Sequence, residues 1–222
     1  MLDASFEMVR SAIEQARITA PSAAKNVHLV AVSKQQPDEK IDAALATGHR
    51  LYGENRVQEA TQRWVHRKAD FPELRLHLIG PLQSNKAGEA VALFDVIETV
   101  DRPKIAAALA KEMVAQNRHL PVFVQVNTGA EEQKSGIAPA DLVAFVAHCR
   151  GEWGLDVQGL MCIPPQSEEP AMHFALLKKL AKASDVPHLS MGMSADFEEA
   201  IAFGADYVRV GSALFGERLP RT

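Results

Sequence analysis

Cysteine is scarce in this sequence. Its 222 residues hold two, Cys149 and Cys162, with no CxxC or Cys/His ligand spacing around them. Two thiols cannot form a disulfide framework, and both are expected to be buried, where a free cysteine behaves as a small hydrophobe. Dense runs of one charge are missing too. Lys and Arg number 24 against 28 Asp and Glu, a net charge of -4, so no line of cations is available to neutralise a phosphate backbone and nucleic acid is excluded as a partner class. No apolar run approaches the roughly 18 residues a membrane span requires. The first residues, Met1-Leu2-Asp3-Ala4-Ser5-Phe6-Glu7, carry acids where a secretion signal carries its positive region, so a cytoplasmic protein without a membrane partner is expected. The eight histidines show no HExxH or paired spacing, and neither a nucleophile elbow nor a Cys/His/Asp constellation occurs, so a metal site or an acyl-transfer site is not expected.

The composition, 47% hydrophobic and 23% charged, is that of an ordinary globular chain whose length fits one α/β-barrel domain or two small domains. Leu2, Phe6, Val9 and Ile13 fall on one face of a helix that ends before Pro21. Val27–Ser33 follows as a β-branched apolar run suited to a strand buried on both faces, as in a parallel sheet. Similar runs recur at 49–53, 75–80, 94–100, 121–127, 155–161, 187–191 and 205–211. Segments of helical period lie between them; one carries Ile105, Ala108, Leu109 and Met113 after an expected Asp101 cap, with Pro103 in its first turn. About eight strands alternating with about eight helices predict an α/β fold, a single (β/α)8 TIM barrel over residues 1–222 with an extra N-terminal helix. An open doubly wound sheet is the alternative, but no GxGxxG follows the first strand and no linker divides the chain.

In such a barrel the chemistry gathers at the C-terminal ends of the strands. Those ends read Ser33-Lys34-Gln35, Gly53-Glu54-Asn55, Ile79 to Lys86, Asn127, Met161, Ser190 to Ser194, and Arg209-Val210-Gly211-Ser212. Alternation along the fifth and eighth strands sends Val122, Val124, Val126, Val208 and Val210 toward the helices, and Phe123, Gln125, Asn127, Tyr207, Arg209 and Gly211 into the barrel. A buried guanidinium needs an acceptor, so Arg209 either contacts a ligand or pairs with an internal acid such as Glu54. Lys34 is either a solvated rim residue or, held near apolar walls that disfavour its charged form, an amine ready to form a Schiff base with an aldehyde. Backbone N–H groups and hydroxyls converge where Gly192-Met193-Ser194 and Gly211-Ser212 turn into helices, a common phosphate position after strands seven and eight. His77 is expected to point into the barrel in a structural hydrogen bond.

The stretches Ala31-Val32-Ser33-Lys34, Tyr52-Gly53-Glu54-Asn55 with Gln58-Glu59, Ile79 to Lys86, Gly159-Leu160-Met161, Leu189 to Ser194 with Asp196, Val208 to Ser212 and Phe215-Gly216 together resemble the pyridoxal phosphate homeostasis protein family. That family is itself similar to the barrel domain of alanine racemase. The resemblance spans nearly the whole chain in order. It implies pyridoxal 5′-phosphate (PLP) as a covalent cofactor, a Schiff base on Lys34, Arg209 facing the pyridine nitrogen, Ser194, Gly211 and Ser212 around the phosphate, and Asn55 and Met161 near the ring. Gln35 and Gln36 depart from the family pattern before Pro37, which alters rim polarity and leaves the cofactor residues in place. The function implied is buffering or delivery of PLP, with apo PLP-dependent enzymes as candidate recipients and a monomer as the expected state. The alternatives are a racemase or decarboxylase of the alanine racemase type, and a barrel whose Lys34 is inert. Racemisation needs an acid/base on each face of the substrate. The racemases take one from a tyrosine on a β-rich second domain of the partner subunit. Here the chain is expected to end at Thr222 after the eighth βα unit, and Tyr52 and Tyr207 both fall in barrel strands. An arginine at the ring nitrogen would also weaken the electron sink.

Overall fold

The computed structural model describes residues 2–131 and 133–216; the expected domain bounds at 1 and 222 lie outside the described residues. The opening amphipathic stretch forms α1 (Leu2–Thr19), which buries Phe6, Val9 and Ile13. Phe6 meets Phe215 edge to face, so the helix closes the last element onto the barrel. The chain then alternates: β1 (His28–Val32), α2 (Asp38–Ala46), β2 (Leu51–Glu54), α3 (Val57–Asp70), β3 (Arg75–Leu78), a 3-10 turn at Ser84–Lys86, α4 (Ala87–Leu93) and β4 (Val96–Val100). The second half continues with α5 (Pro103–Ala115), β5 (Val122–Val126), α6 (Leu142–Gly151), β6 (Val157–Cys162), α7 (Pro170–Ala183), β7 (His188–Met193), α8 (Phe197–Ala202), β8 (Tyr207–Val210) and α9 (Ser212–Phe215).

The eight strands pair in chain order into a closed barrel. β1 and β8 pair in parallel, with Val30 opposite Arg209. Closure leaves no edge strand, and it decides between the barrel and the open sheet. Within the strands the alternation read from the sequence holds: Val122, Val124, Val126, Val208 and Val210 belong to the continuous apolar cluster between sheet and helices, and Arg209 and Gln125 are buried outside it.

α5 corrects one expectation. Its N-cap is Arg102, not Asp101, and no side-chain cap bond forms there. Pro103 at the first helical position forces the preceding residue into extended backbone, and Arg102 sits at φ -165° and ψ 156°. Asp101 pairs with the Arg102 guanidinium instead. The helix that follows Gly192-Met193-Ser194 opens only at Phe197, after Asp196 as its N-cap.

Both cysteines are buried free thiols, and burial pushes each up to about 12. A thiolate is the reactive species, so neither should react with an aromatic disulfide reagent in the native protein at pH 8, and both should react on unfolding. Rapid modification of either in the folded state would contradict this burial.

Candidate functional site

Lys34 follows β1 at the apex of a tight turn. Gln36 N–H donates to Ser33 O at 3.1 Å, and Gln35 adopts φ +61°, a region that costs a non-glycine residue of order 1 kcal/mol. Arg63, on α3, holds the turn from below: Nη1 donates to Ser33 O at 3.1 Å and Nη2 to Gln36 O at 2.9 Å. The guanidinium is fixed in turn by the fully buried Glu54, whose Oε1 accepts from Arg63 Nη1, Ser33 Oγ and Trp64 Nε1 at 3.1, 2.8 and 3.0 Å. The side chain of Lys34 is thus carried by a backbone clamped between two elements.

Above this turn lies a cleft of about 310 Å³ at the C-terminal mouth of the barrel, lined among others by Lys34, Asn55, Ile79, Ser194, Arg209, Gly211 and Ser212. Its size falls at the lower end of the range for small-molecule sites. Two glycines make its walls possible. A Cβ on Gly80 would stand 2.3 Å from Asn55 O, so only glycine lets the loop after β3 press against Asn55, and Thr99 Oγ1 donates to Gly80 O to hold that loop. Gly192 has φ +89°, and a Cβ there would meet Ala200 Cβ at 2.6 Å, so the turn from β7 into α8 likewise requires glycine. That turn is tied by Met193 N–H donating to Asp196 Oδ1 at 2.6 Å, and it delivers Ser194 to the rim. Backbone N–H groups of Gly211 and Ala213 both aim at Ser194 Oγ, at 3.1 and 3.4 Å. Convergent backbone donors of this kind form an anion-binding concavity.

Arg209 enters the cleft from below and is 4% exposed. The expectation that Glu54 might be its internal partner is corrected: alternation along β2 turns Glu54 away from the barrel axis, toward Arg63 and Trp64. The acid facing Arg209 is Glu98 of β4, 4.0 Å away, with Ser190 Oγ between them. His77 is buried and hydrogen-bonded through Nδ1 to Glu98 Oε1 at 2.6 Å, in the internal role expected for it.

Six of the seven residues expected at the site therefore line one cleft: Lys34, Asn55, Ser194, Arg209, Gly211 and Ser212. Met161 does not line it. It is fully buried in β6, in register with Gln125 and Ser190. Asn127, predicted to point into the barrel, turns instead to the following loop, donating to Glu131 O and accepting from Glu131 N–H. Sequence reasoning misses Ile163 and Gln166 on the rim, gives no contact role to Gln36 and Met193 there, and misses Glu98 and Arg63 behind it. A glutamate in the middle of the apolar strand Val96-Ile97-Glu98-Thr99-Val100 is a signal that could have found one of them.

The residues present suit a phosphorylated aldehyde. Asn55 Oδ1 is buried with no hydrogen-bond partner among the described residues, an acceptor awaiting a donor inside the cleft. The donor set at Ser194, Gly211 and Ala213 suits an anion, and Lys34 supplies an amine across the same space. Among the described residues no cluster of His, Cys, Asp or Glu could hold a metal ion.

Barrel and cleft together place the chain in a recognisable class: the profile of the alanine racemase N-terminal domain matches residues 9–219. Solved alanine racemase from Clostridium difficile, 13% identical, superposes with a TM-score of 0.72 over 93% of this chain and 55% of its own, a likeness of fold alone. Nearer relatives are more specific. Proteins named pyridoxal phosphate homeostasis protein from Pseudomonas aeruginosa and Vibrio cholerae are 42% and 38% identical, covering 95% and 96% of this chain and 93% and 95% of theirs. PipY of Synechococcus elongatus, solved with PLP bound, is 34% identical and covers 97% of this chain and 100% of its own at a TM-score of 0.83. The chain belongs to the pyridoxal phosphate homeostasis protein family.

Proposed function

We propose that this protein binds PLP in the cleft at the barrel mouth as a Schiff base with Lys34, and that it buffers or delivers the cofactor within the cytoplasm as a single chain. The observation that carries this reading is the meeting of six residues from β1, β2, β7 and β8 and the turns after them in one cleft of suitable size. Bound there, PLP supplies an aldehyde to an amine and a ring that can withdraw electrons. The chain's own part is to present the Lys34 amine on its clamped turn, to receive the phosphate on Ser194, Ser212 and the N–H groups of Gly211 and Ala213, and to set Arg209 under the ring nitrogen. Asn55 lies beside the ring, and Met161 packs beneath the site.

A carrier is favoured over a racemase or decarboxylase because neither tyrosine reaches the cleft. Tyr52 packs on Trp64 under the helices, ring centroids 4.7 Å apart, and Tyr207 sits at the opposite end of the barrel between His28 and Phe123. Candidate recipients are apo PLP-dependent enzymes. Among the described residues no helix is long and apolar enough to cross a membrane.

Adding PLP to the purified protein should produce a visible absorption band that borohydride bleaches. Incubation with L- or D-alanine in deuterated water should give no α-deuteration faster than free PLP does. Absence of the band would sink the binding reading; sustained α-deuteration at an enzyme's rate would establish the racemase alternative.

A further inference from the structure

The interior of a (β/α)8 barrel is ordinarily packed by layers of branched apolar side chains. Here its centre holds a belt of buried polar groups, one each from four strands: His77 of β3, Glu98 of β4, Ser190 of β7 and Arg209 of β8. The belt is closely bonded. Arg209 Nη1 donates to Ser190 Oγ at 2.6 Å, Ser190 Oγ donates to Glu98 Oε2 at 2.6 Å, and His77 Nδ1 lies 2.6 Å from Glu98 Oε1. A fourth bond runs from Arg209 Nη2 to Cys162 O at 2.7 Å. Interior ion pairs seldom stabilise a fold relative to a well-packed apolar core, so stability alone does not call for such a belt in place of branched apolar residues, although removing a single member would strand its partners.

Resting on the PLP reading above, we propose that Glu98, bridged by Ser190, is a positioning residue that aims Arg209 at the ring of the bound cofactor and balances its charge. Glu98 is the only acid paired with Arg209 among the described residues. Two of the guanidinium's nitrogens are committed, to Ser190 Oγ and Cys162 O, and this fixes the plane of a group that lines the cleft. The fork geometry makes that plane matter: a guanidinium tilted by a lost bond would offer its N–H groups in the wrong direction. Burial alone would raise the carboxyl of Glu98, yet the hydrogen bonds from His77 and Ser190 and the nearby charge of Arg209 hold it below the usual carboxylate range, so the carboxylate stays ionised.

Three variants, with Arg209→Gln as the reference, test this: Ser190→Ala, which removes one buried oxygen, Glu98→Gln, which removes the charge but keeps the shape, and Ser190→Thr, which restores the hydroxyl. Each is titrated with PLP and with pyridoxal, reading the absorption maximum, the visible circular dichroism of the bound cofactor, and the dissociation constant. We expect Ser190→Ala and Glu98→Gln to shift the absorption maximum in the same direction as Arg209→Gln and to weaken PLP about five- to tenfold, the effect of about one hydrogen bond of ordinary strength. The preference for PLP over pyridoxal should stay at the wild-type ratio, because the phosphate end is untouched, and Ser190→Thr should restore the wild-type spectrum. Weakened binding with an unmoved spectrum would mean a merely structural belt and overturn the proposal, as would a wild-type spectrum in Ser190→Ala. Should Glu98→Gln fail to fold, the two Ser190 variants still decide. A wild-type protein that gives no band with PLP overturns the reading on which this rests, a result distinct from any failure of the variants.

Discussion

Lys34→Ala should abolish the borohydride-reducible adduct with PLP altogether while the protein melts within about 0.5 kcal/mol of the wild type, the range of substitutions that open no core cavity. The turn that carries Lys34 is held by backbone carbonyls and the Arg63 guanidinium. Those bonds run between the backbone and Arg63, so they survive truncation of the lysine. The loss is total rather than graded because a Schiff base needs a primary amine and alanine offers none. Reduction of the loaded protein followed by peptide mapping reads the result. A reduced adduct on Lys86 or Lys134, or one that persists in the Lys34→Ala protein, would reassign the site.

The phosphate end should respond in a different manner. Ser194 and Ser212 together offer two hydroxyl donors beside the N–H groups of Gly211 and Ala213, each hydroxyl contributing about 1.5–3 kcal/mol toward a charged partner. Replacing both serines by alanine should weaken PLP at least about tenfold and leave the weaker binding of pyridoxal nearly unchanged. The adduct at Lys34 should still form at high PLP concentration. Titration of the double variant with both aldehydes measures the ratio directly, and a full retained preference for the phosphorylated form would put the phosphate elsewhere.

Much of this arrangement is legible in the order of the amino acids. Strands declare themselves as short β-branched runs, and strict alternation with helical segments points to the barrel, because parallel strands buried on both faces have few other sequences open to them. Lys34, Asn55, Ser194, Arg209, Gly211 and Ser212 stand out because the ends of barrel strands are where ligands sit and because the surrounding motifs are specific. What escapes is pairing across the barrel. Glu54 and Glu98 are both acids within strands, and which one meets Arg209 depends on whether each points in or out, a parity that a one-residue change in strand start reverses. Asn127 departs from expectation for a related reason: it follows the last residue of β5, where alternation lapses and the side chain serves the loop. The Arg63 clamp joins α3 to the turn after β1, and nothing local in sequence announces a contact between residues 27 to 30 positions apart.

That clamp bears on how a store of cofactor can be emptied and refilled. A flexible loop would have to be ordered each time an aldehyde arrived, and the cost would be subtracted from affinity and from rate. With Gln35 already held at φ +61° and both flanking carbonyls engaged by Arg63, the ordering is settled once, when the chain folds. If PLP is held at Lys34 as proposed, its departure leaves the turn in the same conformation, and successive molecules meet the same docking geometry.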